Sequence, residues 1–145
     1  HTVYNLPVNS VRIFNAYGPR VRTTGAYGAV IGVFFKQKIS KKPLTIVGSG
    51  NQSRDFIHVT DVVKAFYKAS KIKKSGEFFN IGTGNPQTVN HLANLVGGKK
   101  INIPDRPGEP MRSCANISKA RKILKWKPEI KFETGIREML QDINK

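Results

Sequence analysis

The chain has 145 residues, 39% of them hydrophobic, which is enough for one ordinary domain with its own core and excludes any need for disulfides or metals. Its 25 Lys and Arg residues outnumber its 9 Asp and Glu residues, and the formal net charge of +16 predicts an anionic partner or an acidic neighbouring segment. The single cysteine, Cys114, and the lack of Cys or His pairs at ligand spacing predict no metal site and a reducing, cytoplasmic location.

Apolar runs of strand and helix length follow one another between Gly and Pro residues, which is typical of an α/β domain. Residues 8–14 are rich in β-branched side chains and predict a buried opening strand; since no helix precedes it, we expect part of a larger domain to be missing before it. Thr60 is expected to be the N-cap of a helix over residues 61–70. Further strands are predicted at residues 44–47, 54–59, 77–81 and 101–103, and further helices at residues 27–39, 88–95, 117–124 and 132–143.

The lysines fall mainly in three runs, within residues 36–42, 71–74 and 119–125, which are typical of solvated helix ends and turns. No helix-turn-helix or finger pattern organises these cations, and no aromatic residues are interleaved with them. A basic nucleic-acid-binding module is therefore less favoured than an ordinary solvated surface, but it stays an alternative. The longest apolar stretch, residues 29–35, is too short to span a bilayer, so we expect no membrane association.

One local pattern resembles a catalytic pair but is rejected. Tyr67 and Lys71 have the Tyr-x-x-x-Lys spacing of short-chain dehydrogenases, which places both side chains on one helix face. Tyr67 continues an apolar face with Val63 and Phe66, so we expect it in the core, and Lys71 lies at a basic helix end. No catalytic residue is predicted in this chain.

Two arginines beside turns are the candidate ligand-binding residues. Arg54 follows the Gly48-Ser49-Gly50 turn and precedes an apolar strand, so its charge requires a partner or an exit to water. Arg106 is separated from Glu109 by a Pro-Gly turn, a spacing suited to a ribose diol and a phosphate. A surface turn with a local ion pair is the alternative explanation for Arg106 and Glu109.

Five segments, in order, resemble the extended short-chain dehydrogenase family of NAD-dependent nucleotide-sugar epimerases and dehydratases, particularly its UDP-glucose 4-epimerases. The resemblance runs through essentially the whole chain. The segments are residues 6–20, with Arg12-Ile13-Phe14-Asn15-Ala16-Tyr17-Gly18-Pro19; residues 43–50, Pro-Leu-Thr-Ile-Val-Gly-Ser-Gly; residues 54–61, Arg-Asp-Phe-Ile-His-Val-Thr-Asp; residues 79–84, Phe-Asn-Ile-Gly-Thr-Gly; and residues 106–109, Arg-Pro-Gly-Glu.

The resemblance implies that residues 1–24 are the end of an NAD-binding Rossmann domain. Residues 25–145 would be a small mixed α/β substrate-binding domain with some segments returning to the Rossmann sheet. The full-length parent would be a homodimeric 4-epimerase acting on UDP-glucose or UDP-N-acetylglucosamine, with NAD bound mainly by the missing part. A 4,6-dehydratase or a decarboxylase of the same family remains the alternative. This chain alone is expected to be inactive, because the cofactor loop and the catalytic Tyr-x-x-x-Lys are absent from it.

The resemblance also implies residue roles. Ala29 and Val30, with Thr45 and Val47, would flank the nucleotide base. Gly32, Phe56 and Ala29 depart from common family patterns, which leaves the nucleotide open. The remaining roles are Ile13 and Phe14 beside the nicotinamide of NAD, Asn15 bonded to the sugar or its phosphate, Arg54 on the diphosphate, Arg106 with Glu109 on the ribose and phosphate, and the small Ser113 leaving room for an N-acetyl group.

Overall fold

The computed structural model describes residues 1–21 and 30–143 and has the mixed α/β architecture that the sequence predicts. The strands are β1 (Ser10–Ile13), β2 (Asn15–Tyr17), β3 (Leu44–Val47), β4 (Ser53–Arg54), β5 (Phe56–His58), β6 (Phe78–Ile81), β7 (Gln87–Thr88) and β8 (Lys100–Ile103). The helices are α1 (Val30–Ile39), α2 (Val59–Lys71), α3 (Val89–Val96), α4 (Ser118–Leu124) and α5 (Phe132–Ile143).

Strand pairing joins distant parts of the chain. β1 pairs with β6, β2 with β5 and β3 with β8, all parallel, whereas β4 and β7 are antiparallel. The predicted strand 8–14 divides because the chain changes partner: the Phe14 amide donates to the Ile81 carbonyl, and the next amide, of Asn15, donates to the Asp55 carbonyl. The carboxyl end of β1 and the start of β2 therefore lie at the junction of two strand pairs.

Two apolar clusters form the core. In the first, α1, α3 and α5 pack around β3 and β5, with Phe34, Leu92 and Ile136 buried. In the second, α2 and α4 pack against β6, with Phe79 and Trp126 buried. Apolar residues at helical spacing send one face of α3 inward, with Leu92 buried, whereas α1 buries the adjacent pair Phe34 and Phe35.

Three predictions about local structure are wrong. His58 rather than Thr60 is the N-cap of α2, and its ring nitrogen Nδ1 accepts from the Thr60 amide at 3.3 Å. Tyr67 is 64% exposed and lies outside the core, because α2 uses its opposite face, with Val62 and Ala65, for packing. β1 is largely exposed rather than buried, since within the described residues it has a neighbouring strand on one edge only.

Among residues 1–21 and 30–143, no helix has the length and hydropathy required to cross a membrane. The same part of the chain contains no group of three or more His, Cys, Asp or Glu side chains positioned to hold a metal ion.

Candidate functional site

A cleft of about 180 Å³ lies between α1, β3, β4 and the segment that follows β8. It brings together most of the substrate-binding residues predicted from the sequence. Its lining residues are Asn15, Val30, Val33, Phe34, Thr45, Val47, Gln52, Arg54, Phe56, Val89, Arg106 and Glu109.

One side of the cleft is an apolar slot. Val30 and Phe34 from α1 and Val47 from β3 contribute aliphatic and aromatic surface. Phe56 lies in the wall and stacks on Phe132 of α5, with ring centroids 5.1 Å apart and an interplanar angle of 13°. Because Phe132 is itself buried in the core, this wall is rigid and suits a flat, weakly polar ring.

The other side of the cleft is charged. Arg54 Nη2 lies 2.7 Å from Glu109 Oε1, and Nη1 donates to the carbonyls of Pro110 at 2.6 Å and Ser53 at 2.9 Å. Glu109 therefore pairs with Arg54, and the local ion pair with Arg106, which was the alternative explanation for these two residues, is not formed. Within the described residues the Arg106 guanidinium forms no ion pair, so its charge faces the cleft uncompensated.

Two amide side chains that were not predicted from the sequence hold residues of the cleft lining in place. Gln37 donates to Thr45 Oγ1 at 2.8 Å and accepts from the Thr45 amide at 3.1 Å, which fixes this residue of β3. Gln52 is buried, and its Nε2 donates to the Val47 carbonyl at 3.0 Å. The available signal for Gln52 was a polar residue between a Gly-rich turn and an apolar strand, where burial requires hydrogen-bond partners.

Asp55, which was also not predicted, is fully buried next to Arg54 and connects two loops. Its Oδ1 accepts from the Thr83 amide and hydroxyl, both at 2.6 Å. Its Oδ2 accepts from the amides of Gly84 and Ala115, both at 2.9 Å. The side chain thus holds the loop after β6 and the segment leading to α4 against β4. Each of its two oxygens accepts two hydrogen bonds.

The segment after Glu109 is tied to β4. The Ser53 amide donates to the Met111 carbonyl at 2.8 Å, and the Ser113 amide donates to the Ser53 carbonyl at 3.1 Å. Ser113 is half-buried next to β4, outside the cleft lining. The position of Glu109 therefore follows from backbone pairing on one side of it and from Arg54 on the other.

Two further predicted site residues, Ile13 and Phe14, are not among the described residues that line the cleft. Ile13 is 43% exposed at the carboxyl end of β1, and Phe14 is half-buried against the second cluster. Ala29 lies outside the described residues. The assignment of these three residues to a cofactor or a base stays a prediction.

Behind the slot, a contact between His91 and Glu133 links two helices. His91 Nε2 of α3 lies 3.0 Å from Glu133 Oε1 of α5. A backbone hydrogen bond at Glu133 itself, and then the hydrogen bond from His91, lower the pKa of the Glu133 carboxyl. Because His91 also contacts the Phe132 ring, this pair supports the wall that carries Phe56.

Comparison with known proteins shows which family and which proteins this chain is similar to. Residues 1–139 match the model of the GDP-mannose 4,6 dehydratase family. The UDP-glucose 4-epimerase of Mycolicibacterium smegmatis is 30% identical over 96% of this chain and 46% of its own length. UDP-glucuronic acid decarboxylase 2 of Arabidopsis thaliana is 33% identical over 98% of this chain and 33% of its own length. The chain thus spans less than half the length of these relatives.

Solved structures agree with this family. The UDP-glucose 4-epimerase of Thermotoga maritima, determined with UDP-glucose, superposes with a TM-score of 0.90 and 30% identity over 99% of this chain and 48% of its own. The UDP-glucuronic acid 4-epimerase of Bacillus cereus, determined with UDP-glucuronic acid and NAD, has a TM-score of 0.85 and 31% identity over 99% of this chain and 47% of its own.

Proposed function

Because the chain belongs to the GDP-mannose 4,6 dehydratase family, whose relatives are short-chain-dehydrogenase-type nucleotide-sugar epimerases and decarboxylases, we propose that it binds the nucleotide-sugar substrate of an NAD-dependent UDP-sugar 4-epimerase. The observation that carries the proposal is a single cleft in which an apolar slot adjoins Arg54 and Arg106. A nucleoside diphosphate has the same two parts, a flat base and an anionic diphosphate.

The proposed roles follow the two sides of the cleft. The base lies in the slot near Val30, Thr45 and Val47, and the diphosphate is bound by the guanidinium groups of Arg54 and Arg106. Asn15 lines the cleft at the junction between β1 and β2, where it reaches the sugar or its phosphate. Its side-chain amide is already oriented by the Asp55 carbonyl, to which Nδ2 donates at 3.4 Å.

The proposed parent contains an NAD-binding Rossmann domain that ends with residues 1–24, while residues 25–145 bind substrate. Within residues 1–21 and 30–143, β1 pairs on one edge only, and this supports the division, because parallel sheets in α/β proteins rarely stop at two strands. Ile13 fits an apolar contact with the nicotinamide, since nucleotides bind at the carboxyl ends of parallel strands and Ile13 is partly exposed there. NAD would supply the hydride acceptor for C4 of the sugar.

The second candidate reaction is decarboxylation of a UDP-uronic acid, which the Arabidopsis relative favours. The two reactions are separated by incubating the longer parent protein and NAD with UDP-glucose and, separately, with UDP-glucuronic acid. UDP-galactose from the first supports the epimerase, and CO₂ with a UDP-pentose from the second supports the decarboxylase. A nucleic-acid-binding module is not favoured by the family match, although the charge of +16 alone would allow it.

Calorimetric titration of the chain with UDP-glucose tests the binding role. Arg106→Ala should weaken affinity by at least about tenfold, because a hydrogen bond to a charged group contributes about 1.5–3 kcal/mol. Arg121→Ala, the same change on α4, is the matched control and should leave affinity unchanged. Equal loss in both variants, or salt-sensitive binding of random DNA that ignores Arg106→Ala, contradicts the proposal.

The sugar assignment is tested at Ser113. Backbone pairing with Ser53 puts the small residue Ser113 beside β4, one strand position from Arg54. Ser113→Tyr should reduce the activity of the parent towards UDP-N-acetylglucosamine much more than towards UDP-glucose. Equal loss of both activities would remove this residue from the sugar-binding assignment.

A further inference from the structure

The Arg54 guanidinium is already bound to protein acceptors in the cleft. Nη1 uses both of its hydrogens on the carbonyls of Ser53 and Pro110, and Nη2 donates to Glu109 Oε1. The two ionised side chains are only 14% and 31% exposed, so the pair is partly shielded from water. Nη1 has no hydrogen left for a phosphate, so a phosphate reaches the guanidinium through Nη2 and Nε, where it meets the negative charge of the Glu109 carboxylate.

The size of the cleft also indicates that Glu109 obstructs the binding of a ligand. At about 180 Å³ it is smaller than the roughly 300–1,000 Å³ typical of small-molecule sites. Arg54 and Glu109 both line it, and Glu109 belongs to a turn whose Gly108 has a φ of 77°. Moving the Glu109 side chain away from Arg54 would both enlarge the cleft and free Nη2 of the guanidinium.

Building on the proposed function, we propose that Glu109 is an internal anion that occupies Arg54 and must be displaced by the phosphate of an incoming ligand. Displacing Glu109 from Arg54 costs free energy for every anionic ligand. A nucleoside diphosphate offsets it, because its base fills the apolar slot and its ribose hydroxyls can donate to the displaced carboxylate. Inorganic pyrophosphate has neither group, so Glu109 is a specificity-determining residue that discriminates against anions lacking a nucleoside.

The test measures inorganic pyrophosphate and UDP binding to the chain by calorimetry. Glu109→Gln keeps the side-chain size and removes the charge. It should tighten pyrophosphate binding about fivefold, as expected for a partly exposed ion pair, and tighten UDP binding clearly less. Arg54→Gln added to Glu109→Gln should abolish the gain. Glu129→Gln is the matched control, because Glu129 pairs with Lys64 in a separate groove, and it should change neither affinity.

The outcomes separate this inference from the proposed function. UDP binding to the unmodified chain without a pyrophosphate gain in Glu109→Gln would overturn the inference and leave the function standing. A gain for pyrophosphate that depends on Arg54, with no UDP binding to any variant, would support displacement of Glu109 and overturn the nucleotide-sugar role. Equal tightening of both ligands would overturn the claim of discrimination. Thermal melts identify any variant that fails to fold, and Glu109→Asp, which shortens the reach to Arg54 while keeping the charge, then provides the second test through a smaller pyrophosphate gain.

Discussion

Replacing the buried Asp55 by Asn changes one oxygen acceptor into an amide donor without changing the side-chain shape. Whichever way the Asn amide is turned, its NH₂ group faces donors: the Thr83 amide and hydroxyl on one side, or the amides of Gly84 and Ala115 on the other. Facing Gly84 and Ala115, the NH₂ group leaves two amides without an acceptor. Facing Thr83, it leaves one, the Thr83 amide, because the hydroxyl can turn to accept from the new NH₂ group and donate to the Asn85 carbonyl at 3.2 Å. The orphaned amides sit at a side chain with no solvent exposure, so water cannot replace the lost bonds without a structural opening.

The size of the effect follows from the less costly orientation, which orphans one amide. Leaving a buried donor unsatisfied costs about 1–3 kcal/mol, and the donors that keep an acceptor now bond a neutral oxygen instead of a charged one. Removing the charge recovers part of the desolvation penalty of the carboxylate, which brings the expected loss to about 2 kcal/mol. Against a total stability of about 5–15 kcal/mol, this is a large fraction.

Urea denaturation followed by circular dichroism measures the loss as a shift of the midpoint at constant slope. Asp105→Asn, the same chemical change at an exposed position, is the control and should alter the free energy of unfolding by less than about 0.5 kcal/mol. A loss below about 1 kcal/mol in Asp55→Asn would refute the reasoning, because it would mean that the four hydrogen bonds only balance the desolvation of the charge.

Other substitutions test separate contacts. Gly82→Ala should destabilise the fold by about 1–3 kcal/mol in urea denaturation, because the added Cβ would lie 2.6 Å from the Cβ of buried Ala115; wild-type stability would contradict the packing. Trp126→Phe should lower the free energy of unfolding by about 1–3 kcal/mol, because the indole N–H hydrogen bond to the Asp61 carbonyl, at 3.0 Å, is lost. An unchanged urea midpoint would contradict this. Hydrogen bonds from Lys119 and then Lys74 lower the pKa of Glu77 from 4.5 to about 2, so its stabilisation is present above about pH 4.5 and is lost as the pH falls towards 2. Glu77→Gln should therefore be less stable than wild type at pH 6 and converge with it near pH 2, whereas a constant difference would contradict the shifted pKa.

The order and type of most elements followed from the sequence. The periodicity of apolar residues correctly located α1, α3, α4 and α5 to within a few residues where they are described, because helix and strand periods are local properties of the chain. The charged candidates were also found locally, since Arg54 and Arg106 lie beside turns that favour ligand contact. The cleft brings together several of the residues implied by the family resemblance, whose roles in binding stay predictions.

Tertiary structure decided the features that depend on partners distant along the chain. Tyr67 was expected inside because α2 carries apolar residues on two faces, and only packing against β1, β5 and α4 selects one of them. Glu109 pairs with Arg54, 55 positions away, rather than with Arg106 in its own turn. Asp55 acquired its role from amides supplied by two separate loops. Sequence patterns report local conformation and charge, whereas the partner of a buried or half-buried polar group is set by which distant backbone reaches it.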